Sequence, residues 1–104
     1  MGIGQEKKRE WLETAERFFA AGDFKAMRAC AREILTHDLD DLDGLALFAQ
    51  ASLYLGEEDQ ARRFISRVLS ADPQHWRMLL VAGEAAVADF ALYQGVPYGR
   101  GTNG

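Results

Sequence analysis

The chain reads as an all-α protein built from antiparallel helical hairpins. Three observations predict this. Apolar residues recur at helical spacing in five successive segments. Two glycine-acid pairs, Gly22-Asp23 and Gly56-Glu57, stand 34 residues apart between those segments. No segment shows the two-residue alternation of a half-buried strand. With 104 residues, 48% of them hydrophobic, the chain supplies one domain with a core.

The elements follow in order. Trp11, Leu12, Ala15, Phe18 and Phe19 mark one face of a first helix, about 6–21, with Glu10, Glu13, Glu16 and Arg17 largely off that face. Gly22 ends it, because glycine takes the left-handed conformation without a Cβ clash. Asp23 caps a second helix, about 24–37, whose inner face carries Phe24, Met27, Cys30, Ala31, Ile34 and Leu35. The polar stretch 37–41 is a connection. A third helix, about 42–55, turns Leu45, Phe48, Ala49, Ser52 and Leu53 inward, and Gly56 stops it. A fourth, about 58–71, carries Ala61, Phe64, Ile65, Val68 and Leu69, and Glu57, Glu58 and Asp59 suit its start. Asp72-Pro73 predicts the start of a fifth helix, about 73–93, with Asp as cap and Pro in the first turn. Residues 1–94 form a single domain. Residues 95–104, with Gly95, Gly99, Gly101 and Gly104, read as a flexible tail.

The offset of 34 also pairs Ala15 with Ala49, Arg28 with Arg62, Leu35 with Leu69, Asp38 with Asp72, and Ile34 with Val68. Against the helical repeat pattern W-x2-L-G-x2-Y, A-x3-F, P, the first unit offers Trp11, Thr14, Ala15, Phe18, Met27, Ala31 and Leu39. The second offers Leu45, Phe48, Ala49, Ser52, Ala61, Ile65 and Pro73, and a third begins with Leu79, Ala82, Gly83 and Ala86. On these residues the chain resembles the tetratricopeptide repeat (TPR) family over positions 8–90. Met27 stands where a small alanine is usual, and Thr14 where leucine is usual. The resemblance implies a short α-solenoid: two full repeats and a long C-terminal helix.

The resemblance further implies a protein-binding groove lined by the first helix of each repeat. Carried over residue by residue, that groove presents Leu12, Glu16, Phe19, Leu47, Gln50, Leu53, Tyr54, Arg77, Leu80, Glu84 and Val87. Most are apolar, which suits an amphipathic helix or an extended hydrophobic segment of a partner. Some family members clamp a C-terminal carboxylate with Lys, Asn and Arg; here only Arg77 has the right chemistry. Small acidic members act as cytoplasmic chaperones in bacterial protein export, and this chain is similar in size and charge.

The fifth segment is apolar on more than one face: Leu79, Leu80, Val81, Val87, Phe90 and Leu92 accompany only three charges, Arg77, Glu84 and Asp89. Such a helix seeks cover, from a copy of itself in a homodimer or from another protein.

Other chemistry finds little support. A net charge of −4 opposes nonspecific nucleic-acid binding. No apolar run follows the basic residues near the N-terminus as in a signal peptide, and the most apolar stretch, Met78 to Ala88, is too short for a membrane span, which with one cysteine suggests the cytoplasm. Cys30 reads as a buried small residue. Asp38, Asp40, Asp41 and Asp43 before Gly44 approach a calcium loop, but Leu39 and Gln50 stand at its first and last ligand positions. An acidic turn capping the third helix explains them better. His37 and His75 lack metal-ligand spacing and read as turn or surface residues. No nucleophile–base set and no phosphate loop is marked, so no cofactor, no metal and no enzymatic activity are expected.

Overall fold

The computed structural model describes residues 4–93, with side chains through 87. It contains α1 (Gln5–Ala21), α2 (Phe24–His37), α3 (Leu42–Tyr54), α4 (Glu58–Ala71) and α5 (Trp76–Tyr93), and no strand among the described residues. The tail expected at 95–104 and the side chains of Phe90 and Leu92 lie outside the described residues. Each helix packs on its neighbour in sequence, and α5 also packs on α3.

Both kinds of turn recur at an interval of 34. At the end of α1, Gly22 takes φ 78°, its N–H donates to the Phe19 carbonyl, and the Asp23 N–H donates to that of Phe18. At the end of α3, Gly56 takes φ 87°, its N–H donates to the Leu53 carbonyl, and the Glu57 N–H donates to that of Ser52. The left-handed glycine reverses the chain while satisfying carbonyls that the helix end leaves open.

The second turn repeats just as closely. The Asp38 carboxylate accepts from the Asp40 N–H, and the Asp72 carboxylate from the Gln74 N–H, both at 3.0 Å. The Asp38 carbonyl accepts from the Asp41 N–H, and the Asp72 carbonyl from the His75 N–H, both at 3.1 Å. Asp41 then caps α3 by accepting from the Gly44 N–H at 2.9 Å. His75 caps α5 in the same position, its Nδ1 accepting from the Met78 N–H at 3.2 Å.

This corrects two readings of the sequence. α5 begins at Trp76, not at Pro73, because Asp72 is engaged in closing the turn and cannot also cap the helix. His75 is no loose surface residue: it is 9% exposed and holds the end of α5.

The core lies between the two helices of each hairpin and between hairpins. Met27, Cys30, Ala31 and Ile34 of α2 meet Ala15 of α1 and Leu47 and Ala51 of α3. Leu45, Ala46 and Ala49 of α3 meet Val68 of α4 and Met78 and Val81 of α5. Burial and the nearby Glu33 charge push the Cys30 thiol above its ordinary pKa, as for a packed, inert cysteine. Gly44 brings α2 and α3 together: a Cβ there would lie 2.9 Å from Ile34 Cγ2 and 3.0 Å from Leu35 Cδ2.

Position 90 is the counterpart of Gly22 and Gly56, and it holds phenylalanine. α5 accordingly runs through it, for 18 residues against 13 in α3.

Two consequences are measurable by urea unfolding. Gly22→Ala and Gly56→Ala should each cost about 1 kcal/mol, since alanine resists positive φ. Gly44→Val should cost about 1–3 kcal/mol by overpacking the α2–α3 contact.

Candidate functional site

One side of the molecule is assembled from α1, α3 and α5. Glu16, Gln50 and Glu84 occupy the same position at successive intervals of 34, one on each of these helices. The Glu84 carboxylate accepts from Gln50 Nε2 at 3.0 Å and from the Tyr54 hydroxyl at 2.7 Å, tying α5 to α3. Arg77 donates through Nη1 to Glu16 Oε2 at 2.5 Å, tying α5 to α1. The Arg77 guanidinium is nearly buried and lies 4.9 Å from the centre of the Trp76 ring.

The aromatic part of this side is built by both hairpins. The Tyr54 ring stacks on Phe24 at 4.9 Å and meets Phe19 edge-on at 5.3 Å. Phe19 and Phe24 are themselves 5.9 Å apart. The left-handed turn at Gly22 sets Phe19 and Phe24 side by side across the end of the first hairpin.

The eleven residues expected to line a groove therefore do not stay together. Glu16, Phe19, Gln50, Tyr54, Arg77 and Glu84 are brought together on this side. Leu12 is half-buried against the first core cluster, and Leu80 and Val87 are exposed on α5. Leu47 and Leu53 are core residues, 0% and 3% exposed, and face no ligand. The side is also more polar than the sequence led one to expect. Its large aliphatic residues turn into the helix interfaces; the carboxylates of Glu16 and Glu84 lie nearer the surface, while the Gln50 amide and the Arg77 guanidinium that pair with them are themselves buried. Arg77 is committed to Glu16, which leaves no arginine here for a carboxylate clamp.

A second polar constellation lies at the α2–α3 turn. Lys8 of α1 reaches Asp41 at 3.0 Å and Asp43 at 2.9 Å. His75 Nε2 donates to Asp43 Oδ1 at 2.9 Å, while its Nδ1 accepts the cap bond from Met78. These two bonds require the neutral imidazole protonated on Nε2. Arg67 of α4 pairs with Asp40. The acidic turn thus joins α1, α3, α4 and α5. It does cap α3, and it also ties helix ends together. The repeat offset carried the missing signal, because it aligns His75 with the capping Asp41.

Burial works against the charges of this cluster, but their mutual pairing prevails. Hydrogen bonds and attraction from Asp43 and Asp41 hold the Lys8 ammonium above its ordinary pKa. Lys8 and His75 hold the Asp43 carboxyl below the usual carboxylate range.

Among the described residues, no group of three or more His, Cys, Asp or Glu is placed to hold a metal ion. No helix of the described residues is long and apolar enough to cross a membrane. No protein-family model, no curated protein and no solved structure matches the chain.

The shifts at Asp43 and Lys8 fix a pH window. The lowered carboxylate stabilises the fold above its unfolded value, and that contribution is lost as pH falls through its folded value. The raised ammonium stabilises below its unfolded value, and that contribution is lost as pH rises through its folded value. Asp43→Asn should lower stability by about 1–2 kcal/mol at neutral pH. The loss should shrink toward the acid limb in thermal melts taken across pH. Glu84→Ala removes one acceptor shared by Gln50 and Tyr54 and should cost about 1–3 kcal/mol, against less for Glu84→Gln, by chemical unfolding.

Proposed function

We propose that this chain is a noncatalytic protein-interaction module of the tetratricopeptide type, an adaptor or chaperone working in the cytoplasm. The observation that carries the reading is the recurrence of both turns, bond for bond, at the 34-residue interval of that repeat. Stacked repeats of this kind place their first helices on a common face, and such faces hold extended or helical segments of other proteins.

The ligand side is the one formed by α1, α3 and α5. The Phe19–Phe24–Tyr54 cluster supplies an apolar anchor point, and aromatic side chains are the commonest energetic centres of protein interfaces. The Glu16–Arg77 and Gln50–Glu84 bridges flank it with polar groups that fix orientation. The favoured ligand is an amphipathic helix or extended segment with apolar residues for the aromatic cluster and a polar edge for these bridges. The buried lone cysteine is compatible with a reducing compartment.

The test is selection from a displayed library of amphipathic peptides, followed by amide NMR titration of the selected binder. Shifts concentrated at Glu16, Phe19, Tyr54, Arg77 and Glu84 are expected. Glu16→Lys, at a half-exposed side chain, should weaken the peptide at least tenfold with the helical circular dichroism unchanged. Binding that leaves these amides unmoved, or a library that yields no binder, would overturn the reading.

A further inference from the structure

α5 has a second apolar face that nothing in the described chain covers. Trp76, Leu80, Gly83 and Val87 follow the i, i+4, i+7, i+11 spacing of a single helical stripe, and Leu79 borders it. The exposures are 64% at Trp76, 46% at Leu79, 51% at Leu80 and 60% at Val87. The opposite face, Met78, Val81 and Ala85, is buried against α3 and α4.

The repeat shows what this face is built for. One interval earlier, the same positions on α3 are Leu42, Leu45, Ala46, Ala49 and Leu53; the last four are buried under the following hairpin helix and its neighbours, and Leu42 is half-buried. On α5 the turn glycine is replaced by Phe90 and the helix continues, so no described segment folds back onto it.

We propose that this face pairs with a second copy of the chain, α5 against α5 in antiparallel across a two-fold axis. Three observations select a copy over other occupants. First, the stripe is self-complementary. An axis between positions 81 and 82 sets Trp76 against Val87 and the large Leu80 against Gly83. A Cβ built on Gly83 meets nothing within 4 Å, so the surface is open where the partner's Leu80 would sit. Second, the stripe carries no charge. The two charged residues of this stretch, Arg77 and Glu84, are tied inward to Glu16 and to Gln50 and Tyr54, so two copies meet without repulsion. The other end of the stack is unsuitable: α1 exposes Glu6, Arg9, Glu10, Glu13 and Arg17, which rules out head-to-tail growth onto the apolar face. Third, the area fits. The four large side chains leave on the order of 400 Å² of apolar surface per copy in water. Two copies together would cover about 800 Å², the small contact of a weak, reversible dimer. The proposal does not depend on the peptide-binding side.

The experiment is light scattering and sedimentation of the full chain from micromolar to millimolar concentration. The molar mass should climb from 11.6 kDa toward twice that value. Leu80→Glu and Gly83→Glu alter exposed positions only, and each should weaken dimerisation at least tenfold with unchanged melting of the monomer. A mixture of Leu80→Cys and Gly83→Cys chains should form the mixed disulfide in preference to either self-pair. A wild-type chain that stays monomeric throughout overturns the proposal. So does a dimer indifferent to both glutamates, or a ladder of larger species. Loss of the dimer with retained peptide binding, or the reverse, separates this interface from the ligand side.

Discussion

A left-handed glycine at the end of α1, and another at the end of α3, set the geometry on which the rest depends. Each turns the chain back within two residues and lays the second helix of a hairpin along the first. That reversal places Phe19 beside Phe24, and it brings Met27 and Cys30 over Ala15. The cost of positive φ is small for glycine and real for every other common residue. Where the chain carries Phe90 instead, the helix simply goes on, and its outward face has no hairpin partner among the described residues.

The second kind of turn works by side-chain capping. Aspartates 38 and 72 close the loop through their own carboxylates, and Asp41 and His75 then satisfy the first open N–H groups of the next helix. Substituting imidazole for carboxylate at the second site adds a function. The ring nitrogen left over from capping reaches back to Asp43, so that the start of α5 is fastened to the start of α3. Lys8 fastens α1 to the same acidic turn. Neighbouring first helices are thus held together by charge at one end and by Tyr54, Gln50 and Glu84 nearer the other.

This arrangement gives the molecule surfaces of different chemistry. The side shared by α1, α3 and α5 combines an aromatic cluster with polar bridges, the mixture that protein interfaces use for anchoring and orientation. The outward face of α5, over the described side chains, is neutral and apolar. α1 exposes a run of charges, Glu6, Arg9, Glu10, Glu13 and Arg17.

The helical class, the hairpin glycines and the 34-residue interval were legible in the sequence because each rests on local chemistry. Spacing of apolar residues, the freedom of glycine and the capping power of aspartate all act within a few residues. The identity of inward residues such as Met27, Ile34 and Val68 followed from the same periodicity. What the sequence could not decide was the use of residues with two equally local options. Asp72 had the composition of a helix cap and became a turn closer. His75 had the look of a surface residue and became the cap, because burial against α3 gave its second nitrogen an acceptor in Asp43. Leu47 and Leu53 sat at groove-like positions, yet packing between hairpins took them into the core, buried Gln50 and Arg77 in polar bridges beside them, and left Glu16, Tyr54 and Glu84 at least partly exposed. Apart from the local bonds of Asp72, these outcomes were set by contacts between residues some 30 to 60 positions apart, and such contacts exist only once the hairpins have packed.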